Sequence, residues 1–237
     1  MKDRFYPYAG ATNPTAYEHL NNCTDPDQRL EALMWEKAPI EGKQVLEIGA
    51  GSGFHAVRYA QKTEHVFAVE PDARMLQQIY ARLCNNPPGN ISILATSAES
   101  IPLLDCSIDI AYARFAYFFG TKDCLRGLRE VKRILSPGGH FFVIDTNPDQ
   151  GQFGMIARGV YPHIFHDRYQ AEHTAFCQQH GFSYFDVQTF FRAPNRQVLE
   201  AYLRMDYPHK YAELFEQIEG TELSYNMSVY HFQKKSG

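Results

Sequence analysis

Cysteine is scarce and unpatterned. The five in this 237-residue chain (Cys23, Cys84, Cys106, Cys124 and Cys177) are odd in number, scattered, and form no Cys-x-x-Cys pair. That excludes a disulfide framework and a thiolate zinc site, and leaves reduced, mostly buried thiols as the expectation. Long apolar runs are missing too. The longest, over residues 110–119, is broken by Arg114, well short of the roughly 18 residues that a membrane span needs. The opening Met1-Lys2-Asp3-Arg4-Phe5-Tyr6-Pro7 has charge but no apolar stretch and no small-residue cleavage site, so no secretory signal is read there and the cytoplasm is the expected location. Neither charge sign dominates: 23 Lys plus Arg stand against 27 Asp plus Glu, a net charge of -4. Without a basic cluster there is no electrostatic footprint for sequence-independent nucleic-acid binding. A small-molecule partner is expected instead, with no membrane, and with the chain acting as a monomer or homodimer.

What is present is an ordinary folded composition, 44% apolar and 21% charged, long enough for one embellished domain or two small ones. Short apolar runs alternate with helical periodicity through the first 150 or so residues. Strands are predicted over 45–48, 65–70, 91–95, 108–113 and 141–145, and helices over 54–62, 71–83 and 123–135. The lead-in, 15–38, reads as one or two helices. Beyond residue 145 the composition shifts to His, Phe and Tyr, with helices predicted near 167–180, 195–205 and 209–217 and strands over 183–191 and 224–232. This order implies an α/β, Rossmann-like doubly wound sheet of seven strands, mostly parallel with the last strand antiparallel, and a ligand at the carboxyl ends of the strands. Residues 1–43 are expected to cover the site, and 44–237 to form the main domain, with 146–182 and 192–222 as lid or substrate-side insertions.

The chemistry concentrates in Glu47-Ile48-Gly49-Ala50-Gly51-Ser52-Gly53, followed by Glu70 at the end of the second strand. Glycines let a turn approach a ligand closely, and an acid at the second strand tip can accept both hydroxyls of a ribose. A nucleoside-containing ligand follows. A dinucleotide fingerprint would place its third glycine at position 54, which is Phe54, and Glu47 would repel a pyrophosphate. A nicotinamide dehydrogenase is therefore the runner-up on fold alone.

The E-x-G-x-G-x-G spacing resembles motif I of class I S-adenosylmethionine-dependent methyltransferases. Residues 66–72 (VFAVEPD) look like that family's second strand with its ribose-binding acid; 97–102 (SAESIP) and 107–112 (SIDIAY) look like its third and fourth strand region; and 128–139 (LREVKRILSPGG) looks like the helix and turn before strand five. The resemblance covers 44–146 and is nearest to the small-molecule, quinone-biosynthesis-like subgroup. It implies S-adenosylmethionine as cofactor, S-adenosylhomocysteine as product, and a small-molecule acceptor. Carried over by position, Gly49, Ala50, Gly51 and Gly53 would line the methionine end, Glu47 would hold its amino group, and Glu70 the ribose. Pro71, Asp72 and Met75 would flank the adenine, with backbone near Ala98 and Glu99 reading its edge. Ser97 stands where many relatives have Asp.

Methyl transfer from a sulfonium needs mainly positioning and desolvation. Arg114 is a candidate on both the cofactor and the catalytic side, and Tyr117 is a candidate catalytic group. Phe118, Asp145, Thr146 and Asn147 share the ends of strands four and five. Tyr8 and Tyr17 would close over the site, and His163, His166 and His173 are candidate bases. Each has a competing structural reading: Arg114 as a salt-bridge residue, the tyrosines as packing groups. Two other functions stay open, a nucleic-acid methyltransferase and a non-catalytic S-adenosylmethionine-binding protein. The aromatic richness of the second half is compatible with a planar or apolar acceptor.

Overall fold

Glycine turns and short apolar runs give this chain its sheet. In the computed structural model, which describes residues 9–85 and 88–236, α1 (Pro14–Cys23) and α2 (Arg29–Lys37) precede β1 (Gln44–Ile48), α3 (Phe54–Ala60), β2 (His65–Val69), α4 (Ala73–Asn85), β3 (Ile91–Leu94) and β4 (Ile108–Arg114). Then come α5 (Leu125–Ile134), β5 (Leu135–Thr146), α6 (Gly151–Val160), α7 (Tyr169–Gln179), β6 (Ser183–Arg192), α8 (Arg196–Asp206), α9 (Tyr211–Gln217) and β7 (Glu222–Gln233). The seven strands form one sheet in the order β3-β2-β1-β4-β5-β7-β6. β1 to β5 pair in parallel, and β7 runs antiparallel to both β5 and β6.

Successive strand residues point to opposite faces, and the core splits accordingly. On one face Val45, Ile110, Tyr112, Phe142 and Ile144 pack with Leu30 and Met34 of α2, Tyr59 of α3, and Leu199, Tyr202 and Leu203 of α8. On the other, Leu46, Ile48, Ala111, Ala113, Phe141 and Val143 pack with Leu128 and Val131 of α5 and Cys177 of α7. Each fully buried large side chain contributes roughly 1.5–3 kcal/mol, so both helical layers are held to the sheet by its centre. The strand order changes direction between the parallel strands β1 and β4, and the carboxyl ends at such a switch point are where these folds place ligands.

Several boundaries differ from the sequence expectations. β5 begins at Leu135, which pairs with Ile108 before a register shift moves the pairing to His140, so the Ser136–Gly139 turn residues lie inside a bulged strand. In agreement with the expectation, only the last strand is reversed, with β6 at the sheet edge and β7 interior. α6 falls outside the helices expected from sequence. Its sequence, GQFGMIARGV, has three poor helix formers, and it is held by contacts: Gly154 lies so close to the Asn147 carbonyl that a Cβ there would sit 2.0 Å from it. α7, within the segment read as an insertion, packs on the sheet through buried Tyr169, His173 and Cys177. α8 packs under α1 and buries Leu199, Tyr202, Leu203 and Met205. Cys23, Cys124 and Cys177 are buried free thiols, and Cys84 and Cys106 are exposed. No helix among the described residues is long and apolar enough to cross a membrane.

Candidate functional site

The glycine turn joins β1 to α3 with Gly49, Gly51 and Gly53 at φ of 74°, 56° and 73°, a region that other L-residues enter at a cost of roughly 1–2 kcal/mol each. Space adds a second reason. A Cβ on Gly49 would lie 2.4 Å from the Ala116 Cβ, and one on Gly51 would lie 2.4 Å from the Tyr17 hydroxyl. The turn is thus pressed between the β4 end and α1. Gly49 and Ala50 both donate to the Val69 carbonyl, at 2.9 and 3.0 Å, which locks the turn to β2.

Glu70 follows β2. The Gly51 N–H donates to its Oε2 at 2.8 Å, and the Asp72 N–H donates to its Oε1 at 2.9 Å. Burial raises its pKa, and those two N–H groups work against the rise. Each carboxylate oxygen keeps further acceptor capacity, so Glu70 is oriented by backbone and still able to receive two hydroxyls. Beside it Met75 is buried, Pro71 is exposed, and Asp72 is held by Arg74.

Glu47 is only 3% exposed. Its Oε2 has no hydrogen-bond partner among the described residues. Burial pushes its carboxyl up to about 8, against the opposing influence of the Tyr112 hydroxyl and Arg114. Tyr112 is its partner in the β1–β4 register. Tyr17 of α1 lies among Glu47, Glu70 and Arg114, and its phenol is held far above its ordinary pKa by burial and by the two acids. An ion pair between Glu18 and Arg82 and the Arg82 Nε to Ser52 carbonyl bond at 2.9 Å tie α1 to α4 and to the glycine turn.

Arg114 ends β4, half-buried, on the sheet face of Tyr112. Its Nη1 donates to His55 Nδ1 at 3.3 Å. Burial opposes its charge, but Tyr59, Glu31, Asp25 and Tyr112 hold its pKa above the usual arginine value. His55 stays neutral because burial comes first and Arg114, Arg58 and Arg82 add to it. Two residues with left-handed backbone follow, Phe115 at φ 51° and Tyr117 at φ 58°. Such strain collects at functional sites.

The structure brings Glu47, Gly49, Ala50, Gly51, Gly53, Glu70, Met75, Tyr17 and Arg114 to one end of the sheet. Tyr117 points elsewhere. Its hydroxyl donates to Glu99 Oε1 and to the Asp123 carbonyl, both at 3.1 Å, and accepts from the Gly127 N–H at 3.2 Å, on the α5 face. Ala98 and Glu99 border that same face, Ala98 buried and Glu99 also facing Arg126. The carbonyl of Ser97, the residue before them, accepts from Ser100 N. His163 and His166 are exposed in the segment between α6 and α7. His173 is 2% exposed and lies against Asp145, Nδ1 to Oδ2 3.2 Å. That Asp145 oxygen also receives the Tyr169 hydroxyl at 2.5 Å. Thr146 reaches the Tyr225 hydroxyl at 2.7 Å, and Asn147 reaches Asp186 at 3.2 Å. Phe118 is core. Tyr8 lies outside the described residues. Among the described residues no group of three or more His, Cys, Asp or Glu could hold a metal ion.

Sequence reasoning missed Tyr112, Tyr59, Glu31, Asp25 and His55. Tyr112 is within reach of such reasoning, since it lies two residues before Arg114 in a strand and so shares its face. The others come from α2, the segment just before it and α3, and meet the β4 end only in three dimensions. Phe153, Phe191, Tyr202 and Tyr207, among the aromatics beyond residue 145, are core residues; Phe153 stacks on Tyr225 at 3.9 Å. Two surface grooves lie away from the glycine turn: one of about 320 Å³ beside Asn147, Gln170 and Tyr184, another of about 610 Å³ beside His19, Cys23 and Arg192.

Part of the chain resembles known proteins. Residues 45–139 match the profile of a methyltransferase domain. This segment is a methyltransferase domain. It contains the glycine turn, Glu70, Arg114 and Tyr117. An uncharacterized methyltransferase of Mycobacterium tuberculosis is 34% identical over 125 residues, 53% of this chain and 48% of that protein. A ubiquinone/menaquinone biosynthesis C-methyltransferase of Rubrivivax gelatinosus is 31% identical over 46% of this chain and 41% of that one. A tRNA U34 carboxymethyltransferase of Saccharophagus degradans is 25% identical over 57% and 42%. The chain spans about half the length of the curated relatives it matches. Among solved structures, the YcgJ protein of Bacillus subtilis superposes with a TM-score of 0.62 at 17% identity, covering 87% of this chain and 98% of that one. That likeness extends the methyltransferase domain's fold across β6 and β7.

Proposed function

We propose that the protein transfers a methyl group from S-adenosylmethionine to a small-molecule acceptor. The observation that carries this reading is the pairing of two acids at one glycine turn: Glu70, oriented by two backbone N–H groups, and Glu47, with a buried oxygen left without a partner among the described residues. These residues fit the cofactor. An ammonium group is what the bare Glu47 oxygen requires, since an unsatisfied buried polar atom costs roughly 1–3 kcal/mol. Gly49 and Gly51 let the β4 end and Tyr17 of α1 close against the turn beside these acids.

In this reading Glu47 and the Gly49–Gly53 turn hold the methionine end, and Glu70 holds the ribose hydroxyls. Pro71, Asp72 and Met75 flank the base, with Ser97, Ala98 and Glu99 along its edge. Tyr17 covers the turn from α1. When bound, the cofactor supplies a methyl on a positively charged sulfur, so that attack by the acceptor displaces a thioether and leaves S-adenosylhomocysteine. The chain's own contribution is alignment and exclusion of water: α1 closes the cofactor end through the Glu18–Arg82 ion pair, and Arg114 sits where β4 hands over from the cofactor to the acceptor. The Tyr117 hydroxyl, tied to Glu99 and α5, shapes the turn after β4. The absence of a basic cluster in a chain of net charge -4 supports a small acceptor over a nucleic acid.

Calorimetric titration with S-adenosylmethionine, S-adenosylhomocysteine and NADH tests this. Binding of the first two, weakened by Glu70→Ala, is the expected result. Binding of NADH alone would return the turn to the dinucleotide class.

A further inference from the structure

Charged side chains facing the interior near this site are matched by the chain itself, with Glu47 and Arg114 as exceptions. Asp25 accepts from Arg29 N and Leu30 N, both at 3.0 Å, and from the Thr189 hydroxyl at 2.6 Å. Glu31 takes the Tyr59 hydroxyl at 3.0 Å and the Arg58 guanidinium at 3.1 Å. Arg82 pairs with Glu18 and bonds Ser52. Arg114 has five N–H donors in a planar fork, and among the described residues its hydrogen bond is to a ring nitrogen of neutral His55. It forms no ion pair with a described carboxylate. Glu31 and Asp25, the carboxylates whose charge raises its pKa, already take Tyr59, Arg58, Thr189 and backbone N–H groups, and a fork of this shape is matched best by a carboxylate in two parallel bonds.

Position says which ligand brings it. Ile48 pairs with Ala113, so Arg114 stands one residue beyond that pair, beside the glycine turn and on the side of β5 and β7. The next residue, Phe115, is held at φ 51° and is 37% exposed. Its ring lies within 16° of parallel to that of Tyr225, whose hydroxyl is fixed by Thr146. A cation and a partly exposed aromatic ring therefore follow one another at the end of β4, on the β5 and β7 side of the glycine turn.

Building on the methyltransferase reading above, we propose that the acceptor carries a carboxylate, that Arg114 binds it with His55 steadying the guanidinium, and that Phe115 supplies an apolar shelf for the adjoining part of the molecule. Arg114 is then the residue that selects anionic acceptors, and uncharged isosteres are excluded because they leave the guanidinium unpaired.

The test uses the full chain and its Arg114→Gln and Arg114→Lys variants, with circular dichroism confirming the fold of each. S-adenosylhomocysteine is titrated first. Benzoate, phenylacetate and hexanoate, and then their amides, are titrated into the saturated complexes. The expected result is S-adenosylhomocysteine affinity within about threefold in all three proteins, carboxylate binding that weakens about tenfold or more in Arg114→Gln and less in Arg114→Lys, and no binding of the amides. The proposal is overturned if no carboxylate binds the wild-type complex, if the amides bind equally well, or if Arg114→Gln keeps carboxylate affinity. It is also overturned if Arg114→Gln loses S-adenosylhomocysteine instead, which would assign the guanidinium to the cofactor's own carboxylate. Failure of S-adenosylhomocysteine to bind the wild type would sink the cofactor reading itself, whereas cofactor binding without carboxylate binding would sink this proposal alone.

Discussion

Glu70 and Glu47 close neighbouring strands, yet the chain treats their carboxylates in opposite ways. Glu70 has each oxygen held by a backbone N–H, so its geometry is complete before any ligand arrives. Glu47 keeps a buried oxygen without a partner among the described residues and is raised to about 8 by burial. Arg114, across the turn, forms no ion pair with a described carboxylate and bonds His55. The difference separates two kinds of site construction: a preorganised half that only has to be occupied, and a half whose charges are completed by what binds. Preorganisation lowers the cost of binding, while an incomplete group reports occupancy through its own protonation.

The most severe way to break the preorganised half is Gly49→Val. A left-handed φ and a Cβ 2.4 Å from Ala116 combine a backbone cost of roughly 1–2 kcal/mol with overpacking of roughly 1–3 kcal/mol. Denaturant unfolding should show a loss of about 3 kcal/mol, and S-adenosylhomocysteine binding should vanish. Gly42→Ala, at φ 69° with nothing within 4 Å of a new Cβ, isolates the backbone part and should cost only about 1 kcal/mol. Equal losses at the two positions would remove the close approach from the account.

Glu70→Ala comes next. It strips an acceptor from Gly51 and from Asp72, so we expect about 1–3 kcal/mol of lost stability and a fall in S-adenosylhomocysteine affinity of about tenfold to a hundredfold, read by calorimetry. An unchanged affinity would detach Glu70 from the ligand.

Glu47 sharpens the contrast through pH. Its folded pKa lies above its unfolded value, so the stability it contributes is fully present below the unfolded pKa and is lost as pH rises through about 8. The melting temperature of the ligand-free protein should fall as pH rises from about 4.5 to about 8 and level off above that, and Glu47→Gln should flatten that slope. A slope that persists in the variant would place the titrating group elsewhere.

The smallest effect is remote from the site. His140 and His231 lie Nδ1 to Nε2 at 2.9 Å across β5 and β7, and burial lowers both, His231 to about 4. Depressed bases bind more protons when unfolded, so stability should decline as pH falls from about 6.5 toward 4. His231→Phe should lessen that decline by a few degrees in melting temperature. This serves as an internal control, because ligand should not alter it.

Much of this is legible in the order of residues alone. The strands from β1 to β5 announce themselves as apolar runs, the glycines and Glu70 sit at an informative spacing, and Gly181 ends α7 at φ 89°, as a helix stop should. The rest is hidden for physical reasons. α6 has a glycine-rich sequence whose helicity comes from packing against Asn147 and β7. β5 carries Pro137, Gly138 and Gly139 inside a bulged strand, where they read as a turn. Tyr117 and Arg114 look equivalent in sequence, but left-handed backbone at Phe115 and Tyr117 sends the phenol to Glu99 on the α5 face while Arg114 remains beside the glycine turn. The environment of Arg114 comes from α2, the segment before it and α3, which no local pattern connects to β4.

The most direct measurement is the proton balance of cofactor binding. S-adenosylhomocysteine would be titrated near pH 7 into the wild type and Glu47→Gln, in buffers of different ionisation enthalpy. An ammonium placed on Glu47 should drive that carboxyl to ionise, releasing about one proton in the wild type and none in the variant. Binding heats that do not depend on buffer in the wild type, or a release that survives in Glu47→Gln, would contradict the account.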